Sequence, residues 1–202
     1  FCGKLPPMNN HLDQLCNFLC ETSFEDLPPE VINRARLVTA DTLAAIAGGS
    51  VEPEMRALTS RLLLGSLGTS SVIGTGYQAA APTAAFLNAS SGTFLELDEG
   101  NRFSRGHPGI HALPGSFAHA ETNRSTGKSF LLALVLGYEV GVRIAIGGDL
   151  RPSVHPHGTW GTVAAAVAVA KLENAEPNDD LVFNHLSFCI EDQRLRCAIP
   201  LG

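Results

Sequence analysis

Two histidines stand immediately before prolines in glycine-containing segments, His107 in Gly106-His107-Pro108-Gly109 and His155 in His155-Pro156-His157-Gly158. Proline fixes its own φ and pushes the preceding residue toward extended backbone, so each imidazole is expected to be held in one direction. An imidazole with an ordinary pKa near ~6.5 gives or takes a proton at neutral pH, and a positioned one contributes roughly 10²–10⁴-fold to a proton transfer. An acidic cluster, Glu96, Asp98 and Glu99, precedes His107. On extended backbone Glu96 and Asp98 would face one side, where a carboxylate can orient a histidine or carry a proton. Taken singly, each histidine serves equally well as a helix cap or polar filler, and the acids as a solvated turn. The repeated His-Pro step beside carboxylates is what points to proton transfer.

Other chemistries fit less well. His107-x3-His111 with His155-x-His157 could offer four imidazoles to the metal of a hydrolase. Pro108 and Gly109 are expected to interrupt a helix through His107 and His111, and no His-Glu-x-x-His run occurs, so no metal is expected. Gly65-x-x-Gly68 and Gly74-Thr75-Gly76 do not make a dinucleotide fingerprint, and no Walker loop or Gly-x-Ser-x-Gly motif is present. Gly115-Ser116 with His119 nearby lacks the flanking strand and second glycine of a nucleophilic serine. Arg102, Arg105 and Arg143 could clamp carboxylates, or be ordinary surface arginines.

The elements that must position these residues read mostly as helices. The 202 residues are 45% hydrophobic and 17% charged, which excludes a disordered chain. Aromatics are only 6%, and the abundance of alanine and glycine favours closely packed helices over sheet. Helical periodicity predicts helices over His11–Glu21, from Pro28-Pro29-Glu30 to Gly48-Gly49, and over Glu54–Leu64, Ala79–Ser91, Ser116–Glu121, Ser129–Ile146 and Thr162–Leu172. Ser70–Ile73 reads as a short strand. The expected organisation is a helical domain over residues 1–172 and a divergent tail over 173–202, acidic and turn-rich at first.

Charge and cysteines bound the partners. A net charge of −6 offers no footprint for nucleic acid or anionic lipid. The apolar run Phe130–Val142 is broken by Gly137, Tyr138 and Glu139 and reads as too short to cross a bilayer, so no membrane partner is expected. Phe1-Cys2-Gly3-Lys4-Leu5-Pro6-Pro7 lacks the basic region and apolar core of a secretory signal. Five cysteines, none of them between positions 21 and 188, read as free thiols in a reducing, cytoplasmic setting, and Cys16-x3-Cys20 has no second pair to complete a zinc site.

Six segments occur in an order that resembles one family. They are Asp41-Thr42-Leu43-Ala44-Ala45-Ile46-Ala47-Gly48, Ala84-Ala85-Phe86-Leu87-Asn88, Glu96-Leu97-Asp98-Glu99-Gly100, Gly106-His107-Pro108-Gly109, Gly137-Tyr138-Glu139-Val140-Gly141-Val142-Arg143 and His155-Pro156-His157-Gly158-Thr159-Trp160-Gly161-Thr162. Together, over about Pro28 to Leu172, they resemble the MmgE/PrpD family, which includes 2-methylcitrate dehydratase, cis-aconitate decarboxylase and iminodisuccinate epimerase. The resemblance implies a mainly α, all-helical domain, with the family's lid domain missing from this chain. It also implies a homodimeric lyase without metal or cofactor, a dehydratase or decarboxylase moving a proton next to a carboxylate of a small di- or tricarboxylate. An epimerase of the iminodisuccinate type is the alternative, and a truncated, non-catalytic helical dimerisation domain is another.

Residue by residue, the resemblance places the catalytic histidines at His107 and His155. Glu96 takes the acidic position of an Asp-Phe-Asp-Asp-Thr-like segment, with Asp98 as a substitute, and Gly100 stands where that segment has threonine. Glu96, Asp98, His111 and His157 are the expected substrate-binding residues. A lysine and a tyrosine of the family's site fall beyond Lys171, where this chain departs from the pattern, so the 202 residues alone are expected to be weak or silent on polycarboxylates.

Overall fold

The computed structural model describes residues 10–148 and 158–174. Within them the chain is mainly α. The helices are α1 (Asn10–Glu21), α2 (Pro29–Ser50), α3 (Pro53–Leu62), α4 (Ala81–Phe94), α5 (Pro108–Asn123), α6 (Gly127–Gly147) and α7 (Trp160–Leu172). A 3-10 turn at Phe24–Asp26 joins α1 to α2, and two short strands, β1 (Ser70–Val72) and β2 (Tyr77–Ala79), pair antiparallel between α3 and α4. The strand expected at Ser70–Ile73 is present, and its partner β2 is an addition to the sequence reading.

Proline starts most of these helices. Pro29, Pro53 and Pro108 open α2, α3 and α5, and Pro82 is the second residue of α4. The first turn of a helix has no internal acceptor for its N–H groups, so a residue lacking one costs nothing there. As expected, no helix runs through both His107 and His111, since His107 stays outside α5 as its N-cap residue. The helix expected at Ser116–Glu121 starts at Pro108 and runs through His111 without interruption. At the head of α6 a side chain does the capping, with Thr126 Oγ1 accepting from the Ser129 N–H at 3.1 Å.

Three apolar clusters hold the helices together. Cys16 and Leu19 of α1 pack with Leu132, Leu136, Val140 and Ile144 of α6 and with Trp160, Val163 and Val167 of α7. Ile46, Ile110, Leu113, Leu134 and Ala168 join α2, α5, α6 and α7. Val72, Ala79, Ala84, Leu87 and Ala118 seat the hairpin and α4 on α5. Buried Asn88 of α4 ties the hairpin down, donating to the Ser71 carbonyl and accepting from the Ile73 N–H, both at 2.9 Å. The α6–α7 contact is close because α6 presents Gly137 and Gly141 there. A β-carbon at Gly137 would sit 2.6 Å from the Ala164 carbonyl oxygen, and one at Gly141 2.7 Å from Ala164 Cβ.

Helix α6, with 21 residues, is longer than the broken apolar run suggested, and by length and composition alone it could cross a membrane. Of its most apolar window 56% is buried inside the fold, which makes it a core helix here. Helix α7 ends at Leu172, as does the helix expected over Thr162–Leu172, and residues 175–202 lie outside the described residues. Cys16 is buried in the core and Cys20 is half-buried.

Candidate active site

The loop Leu95–His107 connects α4 to α5 and delivers His107 to the α5 N-terminus as its N-cap residue. Two residues of this loop, Glu96 and Arg105, adopt left-handed φ values of 53° each. Such backbone costs a non-glycine residue of order 1 kcal/mol and persists where surrounding contacts fix it. Those contacts converge on Asn101. Its backbone pairs with Gly106 in both directions, its Oδ1 accepts from the Phe103 and Ser104 N–H groups, and its carbonyl accepts from the Ser104 hydroxyl.

His107 meets Asp98 across this loop. The His107 Nδ1 lies 3.2 Å from the Asp98 carbonyl oxygen and 3.3 Å from Oδ2 of the same residue. A carbonyl oxygen only accepts, so Nδ1 carries the proton, and the lone pair of the neutral ring resides on Nε2. The Asp98 side chain is 2% exposed and the imidazole 30%. Burial pushes the Asp98 carboxyl above its ordinary range, His107 beside it pulls the other way, and the negative charges of Glu96 and Asp41 push it up further. The Asp98 backbone carbonyl on one ring nitrogen fixes the tautomer, and the carboxylate stands beside the same nitrogen.

Glu99, one residue on, performs a different task. No side chain of the N-cap residue satisfies the first turn of α5, and Pro108 has no N–H to offer. Glu99 Oε2 instead accepts from the Gly109 N–H at 3.0 Å, a carboxylate placed at the positive end of a helix. Its other oxygen, Oε1, accepts from the Tyr138 hydroxyl of α6 at 2.6 Å, and that hydroxyl accepts from Asn101 Nδ2 at 3.2 Å. Burial and the Glu99 hydrogen bond both raise the Tyr138 phenol far above its ordinary value, so it stays protonated and donates. Gly109 is packed into this corner. A β-carbon there would lie 2.8 Å from Thr42 Oγ1 and 2.9 Å from Glu99 Oε2. Thr42 Oγ1 is buried without a hydrogen-bond partner among the described residues.

The remaining expected residues divide. His111 sits one turn beyond His107 on α5, its ring edge-on to Trp160 with centroids 5.1 Å apart. Gly161 gives it room, since a β-carbon there would come within 2.5 Å of His111 Nδ1. His111 therefore occupies the α5–α7 seam. Glu96 is exposed and its backbone is not extended, so Glu96 and Asp98 do not share a face. His155 and His157 lie outside the described residues. Arg143 is taken by Glu139 one helical turn away, and Arg102 stacks over Phe103. Ser116 is a helix-interior hydroxyl donating to the Ala112 carbonyl, and His119 faces Glu173 at 3.8 Å, so neither forms a nucleophilic pair. Among the described residues no group of three or more His, Cys, Asp or Glu side chains is arranged to hold a metal ion.

Sequence reasoning passed over the roles of Glu99, Tyr138, Asn101 and Thr42. The available signal was Tyr138 itself, one of two tyrosines in the chain and set directly after an apolar run in α6.

Comparison with known proteins places the chain. It is 32% identical over 185 residues to a cis-aconitate decarboxylase-like protein of Aspergillus oryzae, covering 86% of this chain and 38% of that protein. It is 27% identical over 175 residues to a cis-aconitate decarboxylase of Aspergillus terreus, covering 82% of this chain and 36% of the relative. The chain thus spans little more than a third of the length of the curated relatives it matches. The model of the MmgE/PrpD N-terminal domain matches residues 13–179, which include the Asp98–His107 loop, and the chain belongs to the MmgE/PrpD family.

Proposed function

We propose that this chain supplies the His107 side of the active site of a lyase that decarboxylates or dehydrates a small tricarboxylate, with cis-aconitate the favoured substrate. The carrying observation is the Asp98–His107 pair, in which the ring Nδ1 hydrogen-bonds the Asp98 carbonyl at 3.2 Å with a buried Asp98 carboxylate oxygen 3.3 Å away. That arrangement directs proton exchange through Nε2. The relatives' names support that choice of substrate, because two of them are described as a cis-aconitate decarboxylase or like one.

In a decarboxylation the bond from carbon to the leaving carboxylate breaks and its electron pair passes to carbon, conjugated with a neighbouring carboxylate. His107, as imidazolium, delivers the proton that completes the product, while carbon dioxide departs. The ring is placed to give its proton to the negative charge that develops on carbon, and the Asp98 carbonyl holds its orientation while it does so. In a dehydration the same ring, as neutral base, removes the proton next to a carboxylate, a carbon–carbon double bond forms, and the neighbouring C–O bond breaks as the hydroxyl takes a proton and leaves as water. His155, by its place in the family pattern, is the partner proton carrier in either direction. The reading carries with it no resident cofactor, a homodimeric assembly and a cytoplasmic setting.

The test uses the protein in its full native length. Carbon dioxide release from cis-aconitate and alkene formation from 2-methylcitrate are followed for the wild type and for His107→Gln. The variant should lose roughly 10²–10⁴-fold of one of these activities. Unchanged turnover, or no turnover of either substrate by the wild type, would overturn the assignment.

A further inference from the structure

We propose that Tyr138 and Glu99 are positioning residues for His107, forming a clamp that ties the head of α5 and the Asn101 loop to the middle of α6. The proposal rests on reading His107 as the proton-transferring group. Neither residue is offered as a catalytic one.

The clamp has three linked contacts. Tyr138 donates to Glu99 Oε1 at 2.6 Å, Glu99 Oε2 accepts from the Gly109 N–H at 3.0 Å, and Asn101 Nδ2 donates to the Tyr138 oxygen at 3.2 Å. His107 lies between the two ends of this arrangement. Glu99 secures the residue two positions after it, and Asn101 pairs through both backbone groups with the residue just before it. Asp98, which fixes the ring tautomer, adjoins Glu99 in sequence, so a displaced Glu99 moves both partners of the pair. The left-handed backbone at Glu96 and Arg105 bounds the same segment and needs such external contacts to persist.

Rigidity at the anchor makes the clamp effective. Tyr138 follows Gly137, the residue at which α6 meets the Ala164 carbonyl and the Ala168 methyl of α7 with no space for a side chain. Helix α6 therefore cannot slide along α7 without overlap, and the phenol is presented at a fixed height. A hydroxyl in that position donates one proton and accepts one, and both capacities are used. Orienting a proton carrier within a fraction of an ångström is what such supporting contacts supply.

The test is made on the 202-residue chain by nuclear magnetic resonance. Two signals are followed, the ring nitrogens of His107, which report its tautomer, and hydrogen exchange of the Gly109 amide. Tyr138→Phe should move the two ring nitrogen shifts toward each other and speed Gly109 exchange by about tenfold or more. Glu99→Ala should do the same, and Glu99→Gln should recover part of the Gly109 protection, because an amide oxygen still accepts there. Thr126→Ala, which removes the cap of α6 away from the loop, should lower the melting temperature while leaving both signals as in wild type. Wild-type ring shifts and Gly109 exchange in Tyr138→Phe would overturn the proposal. If that variant does not fold, wild-type signals in Glu99→Ala would overturn it equally. Neither signal requires turnover, so failure of the lyase reading shows in the substrate assays and failure of the clamp shows here.

Discussion

Gly109→Ala should destabilise the protein, against the ordinary preference of a helix for alanine. Gly109 is the second residue of α5, and alanine gains at most about 1 kcal/mol over glycine from helix propensity alone. The added methyl, however, would stand 2.8 Å from Thr42 Oγ1, 2.9 Å from Glu99 Oε2 and 3.1 Å from Val38 Cγ1. All three belong to half-buried or buried residues, so relief requires moving α2 or pushing Glu99 off the Gly109 N–H. Overpacking of this kind costs typically about 1–3 kcal/mol, and a weakened hydrogen bond to a charged group up to about 1.5–3 kcal/mol more. The net loss expected is about 1.5–5 kcal/mol, which for a domain of this size lowers Tm by at least roughly 3 °C. Gly127→Ala is the matched comparison, because its β-carbon meets nothing within 4 Å at the start of α6 and the change should be neutral or stabilising. Urea and thermal melts of the two variants beside wild type decide the matter. A Gly109→Ala protein as stable as wild type, or more so, would show that the corner between α2, the loop and α5 is looser than its contacts indicate.

Asp98 and Lys171 give two further expectations. Burial raises the Asp98 carboxyl, so between its ordinary and folded values the folded protein binds more protons than the unfolded one, and stability falls as pH rises through that window. Asp98→Asn removes this dependence, so urea melts across acid to neutral pH should show the variant equal to wild type at the acid end and increasingly favoured above it. A wild type that gains on the variant over that range would refute the assignment. Lys171 donates to the Leu19 and Cys20 carbonyls at 2.7 and 3.1 Å, closing the C-terminal end of α1. Lys171→Met keeps the stem and should cost about 1–3 kcal/mol, read as faster amide exchange in α1 ahead of the other helices. Uniform loss across all helices would argue against a local tie.

The helices were legible because their apolar stripes are long and their starts are marked. The stripe Val31, Ala35, Val38 and Ile46 reads directly onto α2, and Ser129–Ile146 falls inside α6. What escaped was local. Pro108-Gly109 does keep His107 out of the helix, but the sequence did not show that the same step starts α5. At a first turn proline costs nothing, and Gly109 is demanded by a crowding that only the folded chain reveals. Strand β2 is three residues with two of them exposed, too short to show alternation. In the site, the acidic cluster was visible but its division of labour was not. Asp98 turns inward to His107 and Glu99 to the α5 head, while left-handed backbone at Glu96 breaks the alternation that would have paired Glu96 with Asp98. Tyr138 stands out as one of two tyrosines, but its partners lie 37 and 39 residues away in the chain.

The seat of α1 carries a consequence for how the protein comes into being. Its apolar side, Cys16 and Leu19, is covered by residues of α6 and α7, and Lys171 reaches the Leu19 carbonyl across 152 positions of sequence. Ribosomes add about 5–20 residues per second, so roughly 8–30 s separate the appearance of Leu19 from that of Lys171. Throughout that interval α1 has only half of its eventual covering at best, and its isolated 12 residues are too few to hold a helix alone. The Cys16 side chain stays within reach of chaperones for the whole of it, and α7, the last of the described helices to emerge, is the one that completes its cover.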